Sequence, residues 1–163
     1  MSPLDSSRLR AEAVRIARNN VGYGEHNRTF LAAIGSPPRA EWCAIFASYC
    51  YSKAARNLKL PEPAWAYRKP GFPEPGAKRL VKQLGKVGSI WRAGDEDYDI
   101  RPGDLVCWSR GVLGWTGHVG IVSELGSSGL YFKSIEGNVR GRVVERTHHT
   151  NEPKLYRFAS LQP

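Results

Sequence analysis

The chain has 163 residues, of which 41% are hydrophobic and 24% charged, an ordinary composition for a globular protein with one core. No apolar run approaches the roughly 18 residues of a membrane span, which excludes a transmembrane protein. Lysine and arginine outnumber acidic residues by 24 to 15, and the formal charge of +9 predicts attraction to polyanions: nucleic acid, anionic membrane or bacterial wall polymers. The basic residues are scattered, so charge alone does not choose among these partners.

Helical periodicity dominates the first half of the chain. Apolar residues recur at helical spacing, and one run is apolar around most of its circumference, which indicates a buried helix. A segment with five prolines, residues 60–75, interrupts regular structure. The predicted helices are 6–20, 27–34, 43–56 (the buried one) and 76–84, the last ended by Gly85.

The second half of the chain changes to the period of two that is typical of strands. The pattern predicts five strands separated by turn residues at 101–104, 126–129 and 137–138. Helices followed by a meander predict one α+β domain, residues 1–163, in which the helix of residues 43–56 packs on a mostly antiparallel sheet of five to six strands. The predicted strands are 104–108, 117–125, 130–136, 139–146 and 154–159.

Three cysteines leave at least one thiol unpaired. Cys43 falls in the first turn of the buried helix, where free N–H groups and the helix dipole favour a thiolate and are expected to lower its pKa. Cys50 lies seven residues further on, about 10 Å along a helix, which is too far for a disulfide. Cys107, in a strand-like run, is interpreted as a small buried apolar residue. The chain has no Cys-x-x-Cys motif, and we expect no metal and no cofactor.

A nucleophilic cysteine needs a base, and the base needs an orienting group. His118 opens the strand GHVGIV, and the glycines around it leave room for close approach. Glu136 and Asn138 are two residues apart, so on a strand they point the same way and either could hold the imidazole. Each residue also has an ordinary structural interpretation: a half-buried strand histidine, a solvated glutamate and a turn asparagine.

The remaining histidines are weaker candidates for catalysis or metal binding. His148 and His149 are adjacent on a predicted strand and face opposite ways, so both do not readily bind one metal. His26, in a polar loop, is predicted to lie at the surface.

In combination, these motifs resemble a known family. The order WCAIF, a Pro-Gly-Asp-Leu turn into a strand, GHVGIV and IEGNV is similar to that of the CHAP family, the cysteine, histidine-dependent amidohydrolases/peptidases that cut bacterial peptidoglycan on a papain-like fold. The resemblance runs from about Ala11 to Phe158. Related NlpC-type hydrolases share the Pro-Gly-Asp turn, but they usually carry Asp-Cys-Ser at the nucleophile.

The resemblance implies a role for each matching residue. Cys43 would be the nucleophile, His118 the base, Glu136 the group that orients the imidazole and Asn138 an auxiliary polar group. Glu41 departs from this pattern of activation, because a carboxylate two residues before the thiol would raise the thiol pKa unless it faces solvent or pairs with a base such as Arg39.

Further residues are candidates for substrate contact. The backbone N–H of Cys43 is one expected oxyanion donor, and Tyr23 or Asn27 is a candidate for the second. Aromatic side chains in 61–75 could line a substrate groove or merely cover the core beneath a long loop. The candidates for oxyanion or substrate binding are Tyr23, Asn27, Trp42, Trp65 and Trp115.

The implied function is a peptidoglycan hydrolase that cleaves an amide bond, as an N-acetylmuramoyl-L-alanine amidase or as a stem or cross-bridge endopeptidase. The alternatives are a cysteine peptidase or amidase on another substrate and a non-catalytic wall-binding module. We expect a monomer with no nucleic acid partner and no membrane insertion.

The N-terminal sequence lacks the apolar core of a standard signal peptide. We therefore expect a protein made in the cytoplasm that reaches the cell wall by phage lysis, as an endolysin, or through a secretion system, as an interbacterial effector with an immunity partner.

Overall fold

The described part of the chain, residues 1–37, 40–69, 72–92, 95, 99–111 and 116–161 of a computed structural model, contains four α-helices, one short 3-10 helix (Ala64–Ala66) and eight strands. The helices are α1 (Pro3–Asn19), α2 (Arg28–Ala33), α3 (Cys43–Asn57) and α4 (Ala77–Val87). The strands are β1 (Tyr67–Lys69), β2 (Phe72–Pro73), β3 (Ser89–Trp91), β4 (Leu105–Arg110), β5 (Thr116–Leu125), β6 (Tyr131–Val139), β7 (Arg142–His149) and β8 (Leu155–Ser160).

Strands β3 to β8 form one antiparallel sheet in the order β3-β8-β4-β5-β6-β7. All four helices precede this sheet in the chain, which confirms the predicted α+β class. The strands β1 and β2 form a separate small hairpin within the proline-rich segment, where no regular structure was predicted. The short edge strand β3 was also not predicted, because three residues carry too little periodicity to be recognised.

The core lies between the helices and one face of the sheet. Helix α3 is buried along most of its length, as its apolar circumference predicts, and it packs against both α1 and the central strands. Alternate residues of the strands point to the opposite face, where a second, smaller apolar cluster forms. Its members are Trp91, Ile100, Val106, Trp108, Val122, Phe132 and Phe158.

The Pro-Gly-Asp turn before β4 ties three elements together. The buried Asp104 carboxylate accepts the Arg101 N–H at 2.8 Å and lies 3.5 Å from the Arg10 guanidinium of α1. The Tyr51 hydroxyl of α3 donates to the Gly103 carbonyl. Burial raises the pKa of Asp104 to about 6. The motif therefore anchors the cysteine helix to the sheet.

Two boundaries differ from the predictions. Helix α4 does not end at Gly85 but continues to Val87. A Cβ at Gly85 would lie 2.8 Å from Cβ of Ile90, so this glycine allows close packing against β3. The predicted turn at 137–138 is wrong: β6 runs on to Val139, and the chain reverses at Arg140 and Gly141, both with positive φ.

The segment from Gly22 to Glu25 pairs with the start of the edge strand β7. Gly22 N–H donates to the Val143 carbonyl at 2.9 Å, Val143 N–H to the Tyr23 carbonyl at 2.7 Å, and Glu25 N–H to the Gly141 carbonyl at 2.8 Å. The chain between α1 and α2 is thereby fixed against the sheet.

No helix in the described ranges is both long enough and apolar enough to cross a membrane.

Candidate active site

Cys43 lies where β5 extends beyond its neighbour β6. The β5–β6 pairing runs from Gly120 opposite Glu136 to Leu125, so residues 116–119 of β5 project past β6. The backbone N–H of Val119, the residue after His118, acts on the Cys43 thiol and favours its ionised form. The cysteine at the start of α3 is thus placed beside the histidine segment.

The surroundings of Cys43 act on its thiol in opposing directions. Burial raises the pKa of Cys43, while the N–H groups of Val119 and Ala44 and the charge of Arg110 act to lower it. Trp42, the N-cap of α3, makes no side-chain capping hydrogen bond. The first-turn N–H groups are therefore available to an anion, but the predicted net lowering of the thiol pKa is wrong, because the desolvation of a buried sulfur dominates.

His118 and Glu136 form a buried hydrogen-bonded pair. The Nε2 atom of His118 lies 2.7 Å from Oε2 of Glu136, and their side chains are 2% and 0% exposed. Burial lowers the pKa of His118, and the Glu136 carboxylate partly offsets this. The other ring nitrogen of His118, Nδ1, is buried and has no hydrogen-bond partner among the described residues, so it can take up a proton from a thiol or from water.

Two glycines of the predicted motifs make room for this arrangement. A Cβ at Gly120 would lie 2.7 Å from Cγ of Glu136, so only glycine lets the carboxylate cross over β5. A Cβ at Gly137 would lie 2.8 Å from Cβ of Phe46 and 2.9 Å from the Trp42 ring. This second glycine lets β6 approach α3 just after its start.

Glu136 has three further partners that sequence reasoning missed. Arg146 donates to both of its oxygens, at 2.6 and 3.2 Å, Ser134 donates at 2.8 Å, and Nε2 of His148 lies at 2.7 Å. Burial acts to raise the pKa of Glu136, but the hydrogen bonds from His118, His148 and Arg146 outweigh it and hold that pKa well below its usual range. Glu136 is therefore a carboxylate at neutral pH.

Asn138 contacts Glu41. Its Nδ2 donates to Oε2 of Glu41 at 3.0 Å, and its backbone has φ 60 in a bulge of β6. The Glu41 side chain is exposed and makes the smallest contribution to the raised pKa of Cys43. Glu41 thus faces Asn138 and solvent, and Arg39, the predicted partner, lies outside the described residues.

Tyr23 and Asn27, the candidate oxyanion donors, occupy the segment before and at the start of α2. The Asn27 side-chain oxygen caps that helix by accepting the Phe30 N–H at 2.9 Å. The Tyr23 ring is 46% exposed and packs 5.7 Å from the Phe30 ring, measured between centroids. Asn27 therefore has a structural task, and an oxyanion role for either residue stays a prediction.

The three candidate tryptophans differ in placement. Trp42 is 1% exposed and packs edge-on against Phe30 and Phe46, so its ring belongs to the core. Trp65 is 7% exposed and packs on Tyr51, two turns along α3 from the thiol. Because packing buries both rings, neither offers an exposed face to a substrate bound at Cys43. Trp115 lies outside the described residues.

Two clefts flank the start of α3. One, of about 500 Å³, is bounded by Glu41, by Thr116 and Gly117 just before His118, and by the first turns of α4 with Lys78, Arg79 and Lys82. The other, of about 450 Å³, is lined by α3 and the proline-rich hairpin. Its residues are Gly35, Pro37, Ile45, Arg68, Lys69, Phe72, Pro73 and Pro75.

Of the aromatic side chains in 61–75 that could line a substrate groove, Phe72 is exposed. It is 57% exposed and lines the second cleft, with the Lys69 ammonium 4.4 Å from its ring centroid.

His26 is exposed, as predicted. Among the described residues no group of three or more His, Cys, Asp or Glu side chains is arranged to hold a metal ion.

The other cysteines are free thiols in the core. Burial raises the pKa of Cys107 to about 12 and that of Cys50 further. Neither has the N–H donors that Cys43 receives from Val119 and Ala44, so both should react slowly.

Comparison with known proteins identifies the family and supports the fold. The family model described as "CHAP domain" matches residues 35–138, which include Cys43, His118, Glu136 and Asn138. A solved structure, described as the crystal structure of Ly7917, is similar with a TM-score of 0.59 and 14% sequence identity, over 94% of this chain and 62% of that one. This chain therefore spans about three fifths of that protein, and the likeness supports the fold. No curated protein matches the chain. The family match covers well over half of the sequence, and the chain belongs to the CHAP family of cysteine, histidine-dependent amidohydrolases/peptidases.

Proposed function

We propose that this protein is a peptidoglycan hydrolase that cleaves an amide bond with Cys43 as nucleophile, His118 as base and Glu136 as the group that orients His118. The observation that carries the proposal is the buried His118–Glu136 pair, in which Nδ1 of His118 has no hydrogen-bond partner among the described residues, together with Cys43 at an uncapped helix start. The scissile bond is the muramoyl–L-alanine amide or a peptide bond of the stem or cross-bridge.

The reaction begins with both partners neutral, because burial disfavours the thiolate and the imidazolium alike. As the Cys43 sulfur attacks the carbonyl carbon, its proton passes to Nδ1 of His118. His118 then protonates the departing amine, which leaves a thioester on Cys43. Water attacks the thioester with His118 as base, and the carboxylic acid leaves as the thiol is restored.

Negative charge on the tetrahedral oxygen meets N–H groups of the first turn of α3. The Trp42 side chain makes no hydrogen bond to these N–H groups, so they can donate to the oxygen, and the helix dipole adds to their effect. Glu136 contributes indirectly: by accepting a hydrogen bond from Nε2–H it favours the tautomer of His118 that leaves Nδ1 unprotonated.

The cleft beside Cys43 suits an acidic peptide. Lys78, Arg79 and Lys82 line it, as does Glu41, whose carboxylate accepts a hydrogen bond from Asn138. Arg79 also lies 3.6 Å from the buried Glu74 carboxylate, so the three cations exceed the two nearby carboxylates by one charge. Peptidoglycan stems carry free carboxylates, and a cationic cleft concentrates such chains near the nucleophile. Part of the net charge of +9 would therefore serve to attract substrate to this cleft.

Reversing one of these charges should weaken substrate capture without slowing the chemistry. For Lys82→Glu we expect KM to rise about two- to fivefold at low salt with kcat unchanged, the range set by one exposed charge interaction. The measurement is the initial rate on soluble muropeptides at increasing concentration, at low and at high salt. The difference should shrink at high salt because exposed charges are screened.

Lys86→Glu is the matched control. Lys86 lies one turn further along α4, is exposed and does not line the cleft, so it changes the net charge equally. An equal rise of KM in both variants would mean that the total charge, and not this cleft, attracts the substrate.

The pH dependence of kcat/KM should show activity that persists below pH 6.5. Burial lowers the pKa of His118 from its ordinary 6.5, so the neutral, proton-accepting ring survives to lower pH. Activity is lost only as pH falls through that lowered value. Initial rates on a soluble muropeptide between pH 4.5 and 9 test this, and an acid limb centred at or above 6.5 would contradict it.

Mass spectrometry of muropeptides released from purified sacculi tests the function directly. Wild type should generate new amine and carboxylic acid ends at one type of bond, and their identity names that bond. Protein and small amide substrates should remain uncut. Cleavage of these with intact sacculi would identify a cysteine peptidase or amidase on another substrate, and binding to sacculi without any cleavage would identify a wall-binding module.

The substrate lies outside the cytoplasm. In our proposal the protein reaches it by phage lysis, as an endolysin, or by a secretion system, as an effector whose producer makes an immunity protein.

A further inference from the structure

His148 lies between two carboxylates on the sheet face that carries the second apolar cluster. Its Nε2 is 2.7 Å from Oε1 of Glu136, and its Nδ1 is 2.9 Å from Oε2 of Glu152, which follows β7. The His148 side chain is 5% exposed and that of Glu136 is 0% exposed, so water has little access to the hydrogen bond between them, whereas Glu152 is 36% exposed.

The chemistry of these contacts determines the charge of the ring. An ionised carboxylate only accepts hydrogen bonds, whereas a neutral imidazole has one N–H and one lone pair. A neutral His148 would therefore direct a lone pair at one of the two carboxylates. Only the imidazolium donates a hydrogen bond to both carboxylates. Its ring faces those of Trp108 and Phe132 at centroid distances of 4.7 and 5.4 Å.

The charges around His148 balance in this state. Glu136 on β6 and Glu152 after β7 are negative, while Arg146, which also bonds Glu136, and His148 are positive. Burial acts to lower the pKa of His148, but the two carboxylates outweigh it and raise that pKa above 6.5. Glu152 is itself held by the Trp108 indole N–H at 2.9 Å.

We propose that His148 is a positioning residue: as an imidazolium it clamps Oε1 of Glu136, so that Oε2 stays directed at His118. Without this clamp the carboxylate can rotate toward Arg146 alone, and His118 loses the partner that fixes its tautomer. The kinetic consequence rests on the proposed function, whereas the charge of His148 and its effect on the His118 ring do not.

The kinetic test uses three variants. His148→Gln removes the charge and one of the two donors, and His148→Phe keeps the ring packing but removes both. We expect kcat to fall about 10- to 100-fold in each, as for loss of a partner from a buried charged acceptor, with KM unchanged because His148 lines no cleft. The matched control is His149→Gln, since His149 faces the other way and packs on Tyr131; it should retain wild-type kcat. A folded His148→Phe protein with wild-type kcat would overturn the proposal.

The spectroscopic test needs no substrate. In long-range ¹H–¹⁵N spectra of wild type at pH 6.5, both ring nitrogens of His148 should be protonated, and His118 should carry its proton on Nε2. Glu152→Gln, which removes one carboxylate, should lower the pH at which His148 loses a proton. In His148→Gln the His118 ring should become a mixture of tautomers.

The two arms separate the ways of failing. A singly protonated His148 at pH 6.5, or an unchanged His118 spectrum in His148→Gln, overturns the positioning role whatever the enzyme cleaves. A wild-type protein that leaves sacculi intact while both spectra are as expected counts against the proposed function alone.

Discussion

Replacing Cys43 by alanine should abolish hydrolysis of peptidoglycan, with a loss of at least about 10³-fold in kcat, because no other group of the site can form the thioester. The fold should persist, since the substitution removes a single sulfur at the edge of the core. The measurement is the release of muropeptides from purified sacculi, with circular dichroism to verify folding.

Cys50→Ala and Cys107→Ala are the controls for this experiment. Both thiols are fully buried in the core and have strongly raised pKa values, so their loss should leave kcat near wild type after any decrease in stability is corrected. Full lytic activity of Cys43→Ala would refute the thiol mechanism.

Glu136→Gln should have the second largest effect, a fall in kcat of about 10²- to 10⁴-fold, comparable to loss of the orienting carboxylate in other triads. The substitution keeps the size of the side chain but replaces one acceptor oxygen by an amide that donates. It leaves the half-exposed Arg146 and the buried His148 facing a neutral group in place of the buried carboxylate. We therefore also expect a lower melting temperature.

The stability of this variant should also respond differently to pH. In wild type the pKa of Glu136 is far below its unfolded value, so the carboxylate contributes stability that is present above pH 4.5 and lost as pH falls further. Glu136→Gln should lack this acid-dependent part. Glu124→Gln, which alters an exposed ion pair with Lys133 on the same sheet, is the control and should behave like wild type. Equal kcat in wild type and Glu136→Gln would exclude an orienting role.

The candidate site residues could be chosen from the sequence because each lies in a local motif. A cysteine opening an apolar helix, a histidine between glycines on a strand and a Glu-x-Asn pair each carry a signal within about six residues. The structure brings His118 and Glu136 together because β5 and β6 are adjacent and Gly120 lets the carboxylate cross. The glycines around His118 predicted a close approach to this strand, but they did not identify Glu136 as the approaching side chain.

The clamp on Glu136 was missed because it depends on strand register. A turn at 137–138 would place residue 139 opposite Glu136, whereas the observed turn places Val144 there, with Arg146 opposite Ser134 and His148 opposite Phe132. With that register, alternation puts Arg146 and His148 on the face of Glu136. The bulge between Glu136 and Val139, in which Asn138 has positive φ, shifts the register and has no clear sequence signature.

The thiol pKa shows a second limit of local reasoning. The helix start favours an anion, as predicted, but burial of the sulfur is a property of the whole fold and has the larger effect. The same holds for Trp42 and Trp65, whose aromatic character suggested substrate contacts and whose placement is in the core.

The pairing of residues 22–25 with the start of β7 has a consequence for how the protein behaves before it meets its substrate. An edge strand with free N–H and C=O groups can recruit an edge from another molecule and start aggregation. Here the chain's own segment occupies the backbone groups of Gly141 and Val143, at the end of β7 nearest the turn. This end of the sheet edge is therefore closed to pairing with a second molecule, which reduces edge-to-edge association at high protein concentration.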